Sequence, residues 1–165
     1  MSGLEVERKF LLSELPAQAR GAAAQTISQG YLAFGADGSE VRLRRAGQRR
    51  TLTAKRGRGM VRGEAEIELG ERQFELLWPL TEGRRLEKVR HRVPLADGLV
   101  AEIDVYGAAM AGLVVGEVEF PDEQSARAFS PPPWLGEEVT GDERYSARVL
   151  ATEGPPTGVR PGGAW

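Results

Sequence analysis

Acidic and basic residues recur at spacing two along this sequence. Leu4-Glu5-Val6-Glu7-Arg8-Lys9-Phe10 puts Glu5, Glu7 and Lys9 on one parity and Leu4, Val6, Arg8 and Phe10 on the other. In a strand those parities face opposite sides of the sheet. The alternation returns in Arg42/Arg44 beside Val41/Leu43, in Lys55 beyond Thr51 and Thr53, and in Glu64/Glu66/Glu68 against Ala65/Ile67/Leu69. It returns again in Lys88/Arg90/Arg92, in Glu102/Asp104 and in Glu117/Glu119. One such strand is most simply a solvated face carrying cross-strand ion pairs. A set of them, segregated by sign, reads differently. Closed into one barrel they would make a charged interior, and burying an ion is costly unless a partner compensates it. Carboxylates alone would suit a cation, and bases alone an anion. Both together suit a metal–polyphosphate complex, in which carboxylates hold the ion, the ion bridges phosphate oxygens, and Lys and Arg grip the rest.

Composition narrows the chemistry. The 165 residues carry 22 basic and 24 acidic side chains, a formal net charge of -2. A generic nucleic-acid binder would be basic overall, so none is expected as a partner. There is no cysteine and only one histidine. Thiolate sites, disulfides and histidine-rich zinc or iron sites are therefore excluded, and any metal must be held by carboxylates, as hard ions such as Mg²⁺, Mn²⁺ or Ca²⁺ are. No apolar run approaches a membrane span, and the first residues lack the layout of a signal peptide. The expected setting is cytoplasmic, with no membrane partner.

Strands are predicted over 4–10, 26–34, 40–45, 50–56, 62–69, 85–93, 99–106 and 113–120. Turns are marked by Gly35-Ala-Asp-Gly38, Ala46-Gly47-Gln48, Gly57-Arg58-Gly59 and Ala96-Asp97-Gly98. Phe74, Leu77 and Trp78 have helical spacing within 71–80, ended or kinked by Pro79. Asp122 is a predicted N-cap for a helix over 123–129, and 142–152 reads as a final short helix. About eight strands joined by short turns predict a mainly β, α+β fold whose antiparallel sheet closes into a barrel with a few flanking helices. Residues 1–152 form the expected single domain. Residues 153–165, rich in glycine and proline, read as a flexible tail in which Trp165 has no evident role. His91 falls on the parity opposite Lys88 and Arg90 and is expected on the outer face. Trp78 and Trp134 read as packing residues, and the Gly57–Gly59 loop as a hairpin turn before a phosphate cradle.

Glu5-x-Glu7-x-Lys9 near the N-terminus resembles the signature of the CYTH superfamily, the triphosphate tunnel metalloenzymes. The likeness extends in order through Arg42 and Arg44, Lys55, Arg62-Gly-Glu64-Ala-Glu66, Lys88 and Arg90, Asp104, and Glu117-Val-Glu119. Val139-Thr-Gly-Asp142-Glu-Arg144-Tyr145-Ser146 resembles the family's C-terminal segment, with Ala147 where bacterial members often carry Asn. The resemblance implies an eight-stranded antiparallel tunnel barrel that binds triphosphate with one or two Mg²⁺ or Mn²⁺ ions. Short bacterial members look most like inorganic triphosphatases that cleave tripolyphosphate to pyrophosphate and phosphate. It further implies Glu5, Glu7, Glu64, Glu66, Asp104, Glu117 and Glu119 as metal ligands. Lys9, Arg42, Arg44, Lys55, Lys88 and Arg90 become phosphate-binding residues, and Glu5, Glu7, Lys9 and Lys55 catalytic ones. The partner is a small polyphosphate, and the chain a monomer or homodimer. Hydrolysis of thiamine or nucleoside triphosphate, class IV adenylate cyclase activity, and polyphosphate or nucleotide binding without turnover are the competing readings.

Overall fold

A computed structural model describes residues 2–158. Its strands are β1 (Ser2–Leu12), β2 (Ala24–Phe34), β3 (Glu40–Ala46), β4 (Arg49–Arg56), β5 (Val61–Glu68), β6 (Arg85–Pro94), β7 (Val100–Tyr106), β8 (Val114–Phe120) and β9 (Glu137–Glu138). The sheet order is β5-β4-β3-β2-β6-β7-β8-β1-β9, and a β5–β1 pairing closes the first eight strands into an antiparallel barrel. Closure depends on β1 changing partners along one edge. Ser2–Val6 pairs with β5, Glu7 N donates to Met60 O at 3.0 Å, and Phe10 and Leu11 pair with β9. Along the other edge, Val6–Leu12 pairs with β8.

The predicted strands lie where period-two patterning put them, within a residue or two at each end. The helices differ more. The segment over 71–80 splits into α1 (Glu71–Leu77) and a 3-10 turn over Trp78–Thr81, because Pro79 cannot donate the next helical hydrogen bond. Helix α2 (Glu123–Ala128) begins at Asp122, whose carboxylate accepts from Ser125 N at 2.7 Å. The expected helix over 142–152 is a 3-10 turn at Glu143–Tyr145, then α3 (Ala147–Glu153), divided at Ser146, whose hydroxyl caps Val149 N. The two-residue β9 was not anticipated. It follows Gly136, which has φ 79° and lies so close to the Leu11 carbonyl that a side chain there would collide with backbone. Most of the expected tail, Trp165 included, lies outside the described residues. No helix among those described is long and apolar enough to cross a membrane.

Apolar residues pack on the outside of the barrel. Val6, Phe10, Ile103, Val118 and Phe120 form one cluster under α2 and Leu135. A second cluster changes the shape of the tunnel. Leu11, Leu86, Tyr106 and Val115 share the inward parity of Lys9, Lys88, Asp104 and Glu117, two residues further toward one barrel end. There they pack with Val139, Tyr145 and Leu150 of the C-terminal segment. Each of these inward rows thus runs from charged to apolar, and α3 covers the apolar end. What remains is a charged cavity of about 310 Å³.

Candidate active site

Bases predominate on one wall of that cavity and acids on another. The basic wall is built on β3, β2 and β6. Arg42 and Arg44 lie side by side on β3, opposite Tyr31 and Gln29 of β2. Arg44 donates from Nε and Nη2 to Gln29 Oε1, at 3.2 and 3.0 Å. Arg42 is buried, and its Nε has no hydrogen-bond partner. Burial, reinforced by the like charges of Arg42 and Arg90, pulls the Arg44 guanidinium down to about 10.

Next to this pair is a compensated cluster. Asp104 has no exposed surface. Its carboxylate accepts from Lys88 Nζ at 2.6 Å and from Arg90 Nε and Nη2 at 2.7 and 2.8 Å. These two bases hold the carboxyl below its usual range although burial opposes them. Burial also pulls Lys88 down to about 7 despite the attraction of Asp104, with Arg90 and Arg44 adding repulsion. Asp104 therefore does not line the cavity as a metal ligand would. The aspartate side chain is short and the basic side chains around it are long, so Lys88 and Arg90 cover it. The geometry makes it their anchor.

The acidic wall is built on β1, β8 and β5. Glu7 of β1 faces Glu119 of β8 in register, and Lys9 faces Glu117. Lys9 Nζ lies 3.5 Å from Glu117, whereas among the described residues neither Glu7 nor Glu119 has a cation within 4.0 Å. Burial, then the charge of Glu117, raises the Glu7 carboxyl to about 7. Burial, then Glu5 and Glu7, raises Glu119. Glu5 accepts from Lys55 Nζ at 2.9 and 2.8 Å, and Lys55 reaches Glu64 at 3.2 Å. Lys55 is thus held by two acids of the acidic wall. Glu66 lines the cavity and accepts from Thr53 Oγ1 at 2.9 Å and from Arg49 at 3.3 Å.

The cavity gathers every residue singled out for metal or phosphate except Asp104. It also includes residues that were not singled out. Glu40 shares the parity of Arg42 and is buried near Arg62 at 3.8 Å and Arg148 at 4.0 Å. Arg62 shares the parity of Glu64 and lies 3.9 Å from Glu5. Both could have been read from alternation. Thr140–Glu143, Ser146 and Ala147 reach the cavity because the chain folds back over β1, which strand periodicity does not report. Of the Gly57–Gly59 turn, only Gly59 lines the cavity. His91 lies outside its lining, Trp78 stacks on Phe74 at 5.2 Å, and Trp134 packs on the outer core.

The donor set fits a hard divalent cation. The acidic wall presents carboxylate oxygens only, with Glu7 and Glu119 adjacent and unneutralised. Among the described residues no three carboxylates converge into a complete cage. Mg²⁺ does not need one, since it is commonly bound through one or two carboxylates together with substrate phosphates.

No family model matches the sequence. It is 46% identical over 151 residues to the inorganic triphosphatase of Nitrosomonas europaea, covering 92% of this chain and 99% of that one. It is 38% identical over 146 residues to the inorganic triphosphatase of Acetivibrio thermocellus, covering 87% and 90%. The crystal structure of the inorganic triphosphatase NE1496 superposes with a TM-score of 0.66 at 44% identity, over 92% of this chain and 97% of that one. A Hippeastrum protein described as a putative adenylyl cyclase with a dominant triphosphatase activity shares the fold at 15% identity and a TM-score of 0.52.

Proposed function

Because this chain belongs to the inorganic triphosphatases, with their CYTH-type tunnel barrel, we propose that it hydrolyses tripolyphosphate to pyrophosphate and phosphate in the charged cavity. The observation that carries this reading is the pairing of two uncompensated walls. Arg42 and Arg44 face the cavity with no carboxylate within 4.0 Å, and Glu7 and Glu119 with no cation within that distance, among the described residues. A polyphosphate with a divalent cation satisfies both at once.

Arg42 and Arg44 bind the phosphoryl oxygens, each with a planar fork suited to two oxygens. Lys88 and Arg90, kept in place by Asp104, add positive charge where it builds up on the transferring group. Glu7 and Glu119, with Glu5, Glu64 and Glu117 around them, would hold Mg²⁺ or Mn²⁺. Bound there, such an ion would supply Lewis-acid polarisation of phosphate oxygens. Lys9 and Lys55 balance the surrounding acids and keep the carboxylates apart. Glu119 is the more open of the facing acids, and its raised proton affinity suits it to take the proton of a water attacking in line.

The lining also favours an inorganic substrate. Among the described residues it contains no aromatic and no large aliphatic side chain, so nothing there would stack on a nucleobase or a thiazolium ring. The direct test is phosphate release from tripolyphosphate, ATP and thiamine triphosphate, each with Mg²⁺, Mn²⁺ or chelator. Metal-dependent release chiefly from tripolyphosphate is expected. Preference for an organic triphosphate would overturn the substrate, and activity undiminished by chelator would overturn the role given to the carboxylates.

A further inference from the structure

Seven cations line the main cavity besides Arg44, and their partners differ in kind. Lys9 has Glu117, Lys55 has Glu5 and Glu64, Arg62 has Glu5 and Glu40, Lys88 and Arg90 have Asp104, and Arg92 has Glu102, each within 4.0 Å. Of the cations lining this cavity, only Arg42 and Arg44 have no carboxylate that close among the described residues. Yet Arg44 is not loosely held. It shares both Nε and Nη2 with a single oxygen of Gln29, a residue with no exposed surface. Arginine only donates, so the amide oxygen must face it, and Gln29 Nε2 turns to Tyr31 Oη at 3.2 Å. Gln29 is directly opposite Arg44 in the β2–β3 register.

We infer that Gln29 is a positioning residue for polyphosphate binding: its neutral amide fixes Arg44 without neutralising it. A carboxylate at the same position would hold the guanidinium at least as firmly, since charge-assisted bonds are the stronger kind. It would also cancel the charge the substrate needs. Asp104 shows what such a partner does on the next strand, where it packs Lys88 and Arg90 as an ion cluster. The tunnel thus keeps two kinds of cation, one anchored by acids and one anchored by a neutral amide. Gln29 decides which kind Arg44 is. This inference rests on the triphosphatase reading, because it assigns the retained charge to the polyphosphate.

The test is Gln29→Glu, a near-isosteric change. Its expected signature is a KM for tripolyphosphate raised by about tenfold or more, the scale of one lost charge-assisted contact. The turnover number should change much less, and the thermal unfolding midpoint should stay level or rise, because a buried guanidinium gains a partner. A purely structural role predicts the reverse, an unchanged KM in the variant that keeps Arg44 best fixed. A folded Gln29→Glu protein with wild-type KM overturns the inference. If that variant does not fold, Gln29→Leu and Arg44→Leu are compared singly and together. Since Gln29 acts through Arg44, the double variant should match Arg44→Leu in KM, and additive losses overturn the inference. The wild-type control separates the two levels. Failure of the wild type to release phosphate counts against the triphosphatase reading. The same variants are then compared by how far tripolyphosphate raises the unfolding midpoint, with the smaller rise expected for Gln29→Glu and an equal rise overturning the inference.

Discussion

Replacing Asp104 by Asn should destabilise the protein before any ligand is added. The carboxylate accepts three charge-assisted hydrogen bonds from two buried cations, with no exposed surface of its own. Taken separately, bonds to charged groups contribute about 1.5–3 kcal/mol each. The sum overstates the loss, because Lys88, already drawn down to about 7, can shed its proton. Arg90 cannot, but it keeps Glu102 at 3.1 Å. The expected cost is therefore that of breaking one buried pair, about 3–5 kcal/mol. At about 2–4 °C per kcal/mol for a chain of this size, the unfolding midpoint should fall by about 6–20 °C. The deficit should shrink between about pH 6 and pH 8. Lys88 of the folded wild type binds its proton below about 7 through Asp104, and that contribution is lost as pH rises through this value. The assay is thermal unfolding of metal-free protein at both pH values, repeated with tripolyphosphate, whose charge should restore part of the loss. A metal-free midpoint within about 2 °C of wild type would refute the anchoring argument. So would a deficit seen only when metal is present, since that is the signature of a metal ligand.

Glu7→Gln should raise the metal-free unfolding midpoint, because it removes a buried carboxylate crowded by Glu117. The same change should lower metal-dependent phosphate release on the order of 10–100-fold, and full activity at low metal would show that Glu7 is not a ligand. Arg42→Lys keeps the charge and loses the planar fork. Steady-state kinetics should then show KM for tripolyphosphate rising by about tenfold, with turnover less affected. Mg²⁺ affinity should climb between about pH 6 and pH 8 and then level off, with protons released on binding. The reason is that Glu7, raised to about 7 from its ordinary 4.5, holds a proton at the lower pH that the cation must displace. Calorimetry in buffers of different ionisation enthalpy measures this directly, and a flat profile with no proton release would count against Glu7 as the titrating group.

Alternation made most of the barrel and its charged face legible. Period two assigns each side chain to a face, and Glu5/Glu7/Lys9, Arg42/Arg44 and Glu117/Glu119 all lie on the face that turned inward. Glu40 and Arg62 were equally readable, since they occupy the same parities. What parity cannot report is depth. Asp104 shares its face with Glu102, yet one carboxylate lies beneath two long bases and the other lines the cavity. Nor does parity report what closes an end. The apolar continuation of the inward rows at Leu11, Leu86, Tyr106 and Val115 makes sense only once Leu150 and Tyr145 are packed against it. Strand β9 escaped for another reason: two residues are too short for a period, and its place is set by the backbone contact at Gly136. Gln29 carries no charge and so left no mark on a reading based on charge.

The division between compensated and uncompensated residues also explains how a barrel tolerates so charged an interior. Lys9, Lys55, Arg62 and Arg90 are each paired with an acid within the fold, so their burial does not depend on a ligand, whereas Asp104 offsets the burial of Lys88 only in part. The cost that remains is concentrated at Glu7 and Glu119 on one wall and at Arg44 on the other, since the charges of Glu40, Glu5 and Glu64 outweigh burial at Arg42. Glu7 responds with a raised proton affinity, and Arg44 with a lowered one. Either strain alone could be relieved by a cation or by an anion. A polyphosphate carrying a divalent cation relieves both, and each component improves the site for the other because the opposite charges share one cavity. Binding of cation and polyphosphate should therefore be mutually strengthening, with the same coupling factor whichever is added first. The uncompensated charges, more than the larger number of charged residues around them, define what the tunnel selects.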